Sequence, residues 1–176
     1  MTARSALRVF SLLAVAAGRL LSPSVAAGQL PWEYYQRRSL AEVASQQRDV
    51  VLRTFTEELG QRVFLGGSSF PSLPNIEYLD SSRATSGRRL ELIRLWIKTY
   101  EIPVEVPEDY NTELLFREDD LELWLPVRST VIEELESATA PGDPLTLYVV
   151  WVGALRAGPD IEWVFLVYGY QPEGSG

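Results

Sequence analysis

Any chemistry in this chain has to be done without histidine or cysteine, because neither occurs among its 176 residues. The commonest general base, the commonest nitrogen ligand for a metal and every thiol nucleophile are thereby removed. A Ser–Lys pair would rest on Lys98, the single lysine, and no serine stands at helical spacing from it. The chain carries no Gly-x-Ser-x-Gly elbow, phosphate loop or dinucleotide fingerprint. Carboxylates are plentiful, with 24 Asp and Glu. They leave open a two-carboxylate glycan hydrolase, which needs its acids paired across a cleft. Glu118, Asp119, Asp120 and Glu122 cluster as ligands for a hard cation would, yet they lack the spacing and glycine of a calcium-binding helix–loop–helix. Acids at a hairpin tip are ordinarily solvated. No metal and no cofactor are expected.

Aromatic stacking is the remaining chemistry. Trp96, Trp151 and Trp163 sit inside apolar runs and read as core. Trp124 differs, because alternation along its strand turns it away from Leu121, Leu123 and Leu125. Trp124 with Asp109, Tyr110, Asn111 and Arg156 forms the candidate ligand site: a stacking surface with polar groups around it. The competing reading covers Trp124 with the helix that starts at Ser39.

Several elements must position these residues. Leu145 to Tyr170 holds two β-branched and aromatic runs joined through Gly158-Pro159-Asp160, the pattern of a hairpin. Both faces of both runs are apolar, so each face needs a cover. Ser39-Leu40-Ala41-Glu42 has capping-box spacing, and Val43, Gln47, Val51, Phe55 and Leu59 continue one stripe until Gly60. This helix is expected on the outer face of the hairpin. Residues 66–87 are rich in Gly, Ser and Pro around a short apolar patch and read as a flexible connection. From Arg88, LELIRLWIKTYEIPVEV alternates with phase slips, as a long strand bent by bulges would. Leu114 to Arg117 and Leu121 to Val127 make a second hairpin turning at Glu118-Asp119-Asp120. Thr130 and Glu133 are spaced as a capping box for a short helix.

A long bent strand, two strands, a helix and two strands is the order of a five-stranded OB-like barrel, with an SH3-like barrel as the alternative. The expected fold is thus α+β and mainly β, with an amphipathic helix in front of the barrel. Residues 28–65 form the helical segment, 88–171 the barrel and 172–176 a disordered tail. At the other end, Arg4 and Arg8, an apolar run and Val25-Ala26-Ala27 have the layout of a signal peptide over 1–27. That implies export, to a bacterial periplasm or beyond, with no stable membrane span after cleavage.

Net charge is −8 and unevenly spread. Residues 28–100 carry ten basic and eight acidic groups, whereas 101–176 carry three and sixteen. So acidic a barrel repels phosphate backbones, which disfavours nucleic acid as a partner. The leading expectation is an exported, non-catalytic binding or protein-interaction module engaging a protein, peptide or neutral glycan. A carboxylate-based glycan hydrolase and an oligomeric structural subunit of the cell envelope are the alternatives.

Overall fold

The computed structural model describes residues 34–55, 62–67, 69–101 and 107–173. The export signature at 1–27, Leu59 and Gly60, the Ile102–Val106 alternation and residues 174–176 lie outside them. Among the described residues the protein is α+β, a seven-stranded mixed sheet with three helices. In chain order these are β1 (Gln36–Arg37), α1 (Leu40–Thr54), β2 (Val63–Leu65), β3 (Pro71–Ala84) and α2 (Gly87–Thr99). A 3-10 turn (Pro107–Tyr110) leads into β4 (Thr112–Glu118) and β5 (Leu121–Val127). Then come α3 (Ser129–Ala138), β6 (Pro144–Ala157) and β7 (Asp160–Pro172).

Helix α1 begins as its sequence demands. The Ser39 hydroxyl accepts from the Glu42 amide at 3.1 Å while Glu42 Oε2 accepts from the Ser39 amide at 2.8 Å. Leu40, Val43, Val51 and Phe55 are its buried stripe. The second expected capping box does not form. Helix α3 has Arg128 at its N-cap without a side-chain cap bond, and the Ser129 hydroxyl donates to Asp109 instead.

Two expectations for residues 69–101 are overturned together. The segment from Arg88 is helix, not strand. Leu92, Ile93 and Trp96, the residues it buries, are one and four apart and so share one helical face. Over nine residues a slipping two-residue alternation and a 3.6-residue period look alike. The Ser86 hydroxyl decides for the helix by accepting from the Arg89 amide. The long bent strand lies instead in the stretch read as a connection. Strand β3 changes register between Leu73 and Ile76 and again between Tyr78 and Ser82. Asn75 (φ 56°) and Asp80 (φ 51°) take left-handed backbone within these two irregularities, a conformation Asn and Asp tolerate best after glycine.

Bending lets β3 serve two neighbours. Ser72 to Glu77 pair antiparallel with β6, and Glu77 to Ala84 pair antiparallel with β4. The strand order is β1-β3-β4-β5-β7-β6-β2, and the β3–β6 pairing folds the sheet back on itself. That closure is uneven, since β5 and β7 meet in parallel at a single registered pair, Val127 and Val167.

The β6–β7 hairpin forms as expected and both its faces are covered. Leu145, Leu147, Val149, Trp151, Phe165 and Val167 join one core with Leu73, Ile76, Leu114, Phe116, Leu125 and Val127. Leu40, Val43, Val51 and Phe55 of α1 and Val131 and Leu135 of α3 belong to that same core. On the opposite face Val150, Val152, Leu155, Val164, Leu166 and Tyr168 pack with Leu92, Ile93, Trp96 and Tyr110. The outer cover is therefore α2 rather than α1. Each such side chain contributes about 1.5–3 kcal/mol by leaving water, so neither face could have stayed bare. Short β2 lies at one end of the sheet, and Gly153 is what lets it approach. A Cβ on Gly153 would stand 2.1 Å from the Phe64 carbonyl oxygen, and φ there is +153°.

Candidate ligand groove

The five residues singled out by sequence are not gathered into one site. Tyr110 is fully buried in the α2-side core, its ring centroid 6.2 Å from that of Tyr168. Burial, with the neighbouring Tyr168, pushes its ionisation far above the usual range of a phenol. It is a core tyrosine. Asp109, just before it, accepts a bond from Ser129 Oγ and lies 3.9 Å from Arg128 Nε, which ties the 3-10 turn to the start of α3. Asn111 is exposed, and its carbonyl accepts from the Thr85 amide at 2.8 Å.

Trp124 does face outward from β5, but its ring is occupied. The Arg83 guanidinium carbon lies 4.3 Å from the ring centroid, in cation–π geometry. The cover is thus Arg83 of β3 and not the Ser39 helix. Arg83 belongs to a linked set of charges on this face. Glu113 of β4 is fully buried; its Oε2 accepts from Arg83 Nε at 2.7 Å, and its Oε1 accepts from Arg89 Nη1 at 2.7 Å. Arg89 also donates to Glu162 of β7 and to the Trp124 carbonyl. Burial works against the charge on Arg89, but its bonds to Glu162 and Glu113 outweigh this and its pKa rises. A carboxylate whose two oxygens are both held by guanidiniums is committed to structure, so the Glu113–Glu162 pair is a poor acid/base couple. Part of the charge asymmetry between the chain's two halves is satisfied here, arginines of β3 and α2 meeting acids of β4 and β7.

The hairpin-tip acids fare no better as a site. Glu118 and Asp119 border a cleft of about 370 Å³ opposite Arg37 and Arg38. Among the described residues, no cluster of Asp and Glu could hold a metal ion.

Arg156 leads to a different place. It lines an open groove of about 990 Å³ together with Arg62, Val63, Arg88, Leu92 and Leu95, and Glu91 borders the same space. Three elements build it. Helix α2 supplies Arg88, Glu91, Leu92 and Leu95, whose spacings of three and four place them on one side. Val63 opens β2 and Arg62 directly precedes it, and Leu155 and Arg156 come from the end of β6. Arg88 Nη2 donates to the Arg156 carbonyl at 2.7 Å, and Arg156 Nη1 donates to the Phe55 carbonyl at 2.7 Å. These bonds fix two guanidiniums in place without neutralising them. No described carboxylate lies within ion-pair distance of Arg62, Arg88 or Arg156. The apolar walls include Leu95 and Val63, which stay 44% and 36% exposed. Three arginines against one carboxylate, Glu91, beside exposed apolar carbon suit an anion that also carries an apolar part.

Arg62 and Arg88 belong to no motif. The trace they leave in the sequence is the positive balance of residues 28–100 within an acidic chain. Their meeting with Arg156 needs β2 paired to β6 and α2 laid over both, which no local pattern announces. Searches against protein-family models, curated proteins and solved structures found no match to this chain.

Proposed function

We propose that the protein is an exported, non-catalytic binding module that takes a carboxylate-bearing ligand, most simply an acidic segment of a peptide or protein, in the groove between α2, β2 and β6. The observation that carries this reading is Arg88 beside exposed Val63 and Leu95 in one groove, with Arg62 and Arg156 at its rim on the α1-side face and no described carboxylate, Glu91 included, within ion-pair distance of any of the three. Like charges held together raise the energy of the empty state, and an anion relieves it. The mature chain, at −11 once 1–27 is removed, repels long polyanions. A short acidic segment fits and a nucleic-acid backbone does not. A neutral glycan would leave the arginines without a counter-charge. No described side chain in the groove is an activated nucleophile or a pair of opposed acids, so binding rather than turnover is its proposed work. Export rests on the arginines, apolar run and small residues of 1–27.

The same reading takes β3-β4-β5-β7-β6 as an OB-like barrel. Support comes from the strand order, the β3–β6 pairing, the parallel meeting of β5 with β7, and α3 between β5 and β6. Helix α2 is then an insertion between the first two barrel strands. The groove includes the β6–β7 turn, one of the two loops at which such barrels bind ligands. Thermal unfolding with and without hexaglutamate tests the function. A ligand present at a hundred times its Kd stabilises by about 2.7 kcal/mol. The paired substitution Arg88→Ala, Arg156→Ala should abolish the shift; an unchanged Tm in wild type, or an equal rise in the variant, refutes the reading.

A further inference from the structure

Edge strands bring main-chain groups to the surface, and β2 lies at the end of the sheet order with β6 as its sole partner among the described residues. Its register identifies which groups are free. Arg156 N donates to Arg62 O at 3.0 Å, and Gly66 N donates to Val152 O at 2.7 Å. In an antiparallel ladder, bonded pairs alternate along the strand. Arg62, Phe64 and Gly66 therefore point their N–H and C=O groups at β6, and Val63 and Leu65 point theirs away from it. Among the described residues, neither the Val63 nor the Leu65 main chain has a hydrogen-bond partner. The side chains divide the same way. Phe64 stacks on Trp151 in the α1-side core, and Leu65 packs with the α2-side core. Val63 stays partly exposed and lines the arginine groove. Proteins normally guard such an edge with lysine, proline or a bulge. The β2 sequence, Val63-Phe64-Leu65, has no charge and no proline.

From this juxtaposition of a bare strand edge with unpaired guanidiniums, we propose that β2 is the docking edge for an extended acidic peptide, which pairs with Val63 and Leu65 as an additional strand, places its carboxylates on the α1-side face with Arg62 and Arg156, and turns its apolar groups to the α2-side face with Val63 and Leu95. The proposal rests on the groove reading given above and specifies the ligand's conformation. Charge complementarity selects the occupant: an extended peptide alternating acidic and apolar residues presents carboxylates to the arginines and apolar groups to Val63 and Leu95. The ladder supplies affinity that does not depend on side chains, and the arginines supply selectivity. Strand length limits the contact to one short rung pattern, so the interaction is expected to be modest and reversible.

Backbone N-methylation separates the two claims. The parent probe is a capped hexapeptide alternating glutamate and valine, titrated into the whole protein by calorimetry or by Trp fluorescence. Two further probes carry N-methyl groups at the glutamates or at the valines. An added strand bonds through one set and turns the other to solvent. One methylated peptide should therefore lose about tenfold or more in affinity, close to the worth of one hydrogen bond, while the other stays within about threefold of the parent. Val63→Pro, which removes an outward N–H at an edge position where proline is tolerated, should weaken the parent peptide similarly, and by clearly more than Val63→Ala, which trims an apolar contact but keeps that N–H. If both methylated peptides bind like the parent, or both lose affinity equally, strand addition is wrong while the groove reading survives. If the parent peptide fails to bind, or binds the Arg88→Ala, Arg156→Ala variant unchanged, the groove reading falls and the edge proposal with it.

Discussion

Glu113→Gln removes one negative charge from the most buried ion pair among the described residues, and its cost can be worked from the partners left behind. Glu113 has 1% of its side chain exposed; Arg89 and Arg83 have 17% and 46%. The half-exposed Arg83 pair is screened by water and contributes about 0–1 kcal/mol. Arg89 is the sensitive partner. Removing one member of a buried pair costs about 3–5 kcal/mol, because the other charge is left uncompensated. Arg89 keeps Glu162 and the Trp124 carbonyl, so the lower end, about 3 kcal/mol, applies. For a protein of this size that is a fall in Tm of roughly 6–12 °C. The assay is thermal and urea unfolding of wild type, Glu113→Gln, Arg89→Met and the double variant, at pH 7 and moderate salt. Coupling between the two sites should come out at about 1.5–3 kcal/mol. The double variant should be less destabilised than the sum of the singles, because neither Arg89 nor Glu113 is left charged beside a neutral partner. A loss below about 1 kcal/mol for Glu113→Gln, or coupling below about 0.5 kcal/mol, would refute the view that this contact locks α2 onto β4 and β7.

Gly153→Ala should cost about 3 kcal/mol or more, since the added carbon meets the Phe64 backbone and β2 has to separate from β6; unfolding gives the loss, and hydrogen exchange at Gly66 and Arg156 locates it. Ser39→Ala should lower stability by about 1 kcal/mol through loss of the α1 cap, measured as a urea midpoint shift at constant m. Burial and a hydrogen bond to Asp80 push the Tyr78 phenol up to about 12. Its folded pKa thus lies above the unfolded value near 10, so its contribution is complete below about pH 10 and is lost as pH rises toward 12. Tyr78→Phe should therefore flatten the fall in Tm between pH 10 and 12, and an identical alkaline slope in both proteins would count against that.

The hairpins and the first helix were legible because their determinants are local. Tyr148 to Val152 and Trp163 to Val167 are β-branched and aromatic on both faces, which fixes a strand with two covers wherever the rest of the chain goes. Ser39 and Glu42 sit three residues apart and cap each other without help. Arg88 to Lys98 was not legible in the same way: its apolar spacing suits either period, and the deciding contacts, Leu92, Ile93 and Trp96 on the β6–β7 face, are distant in sequence. Strand β3 was hidden by the opposite effect. Its prolines, serines and Asn75 are loop formers, yet its partners on two sides impose extended backbone, with Asn75 and Asp80 absorbing the bends.

Sequence alone determined the excluded chemistry, the acidic surface, the two-faced hairpin and the outward turn of Trp124, since each follows from residue type or from a period of two along one strand. Tertiary structure decided which residues meet. It placed Arg83 over Trp124, drew Glu113 between two guanidiniums and brought Arg62, Arg88 and Arg156 to one groove from three separated segments. A sequence pattern records the face a residue takes on its own element. Which element lies opposite is set by the packing of the whole core, and that is where the groove originates.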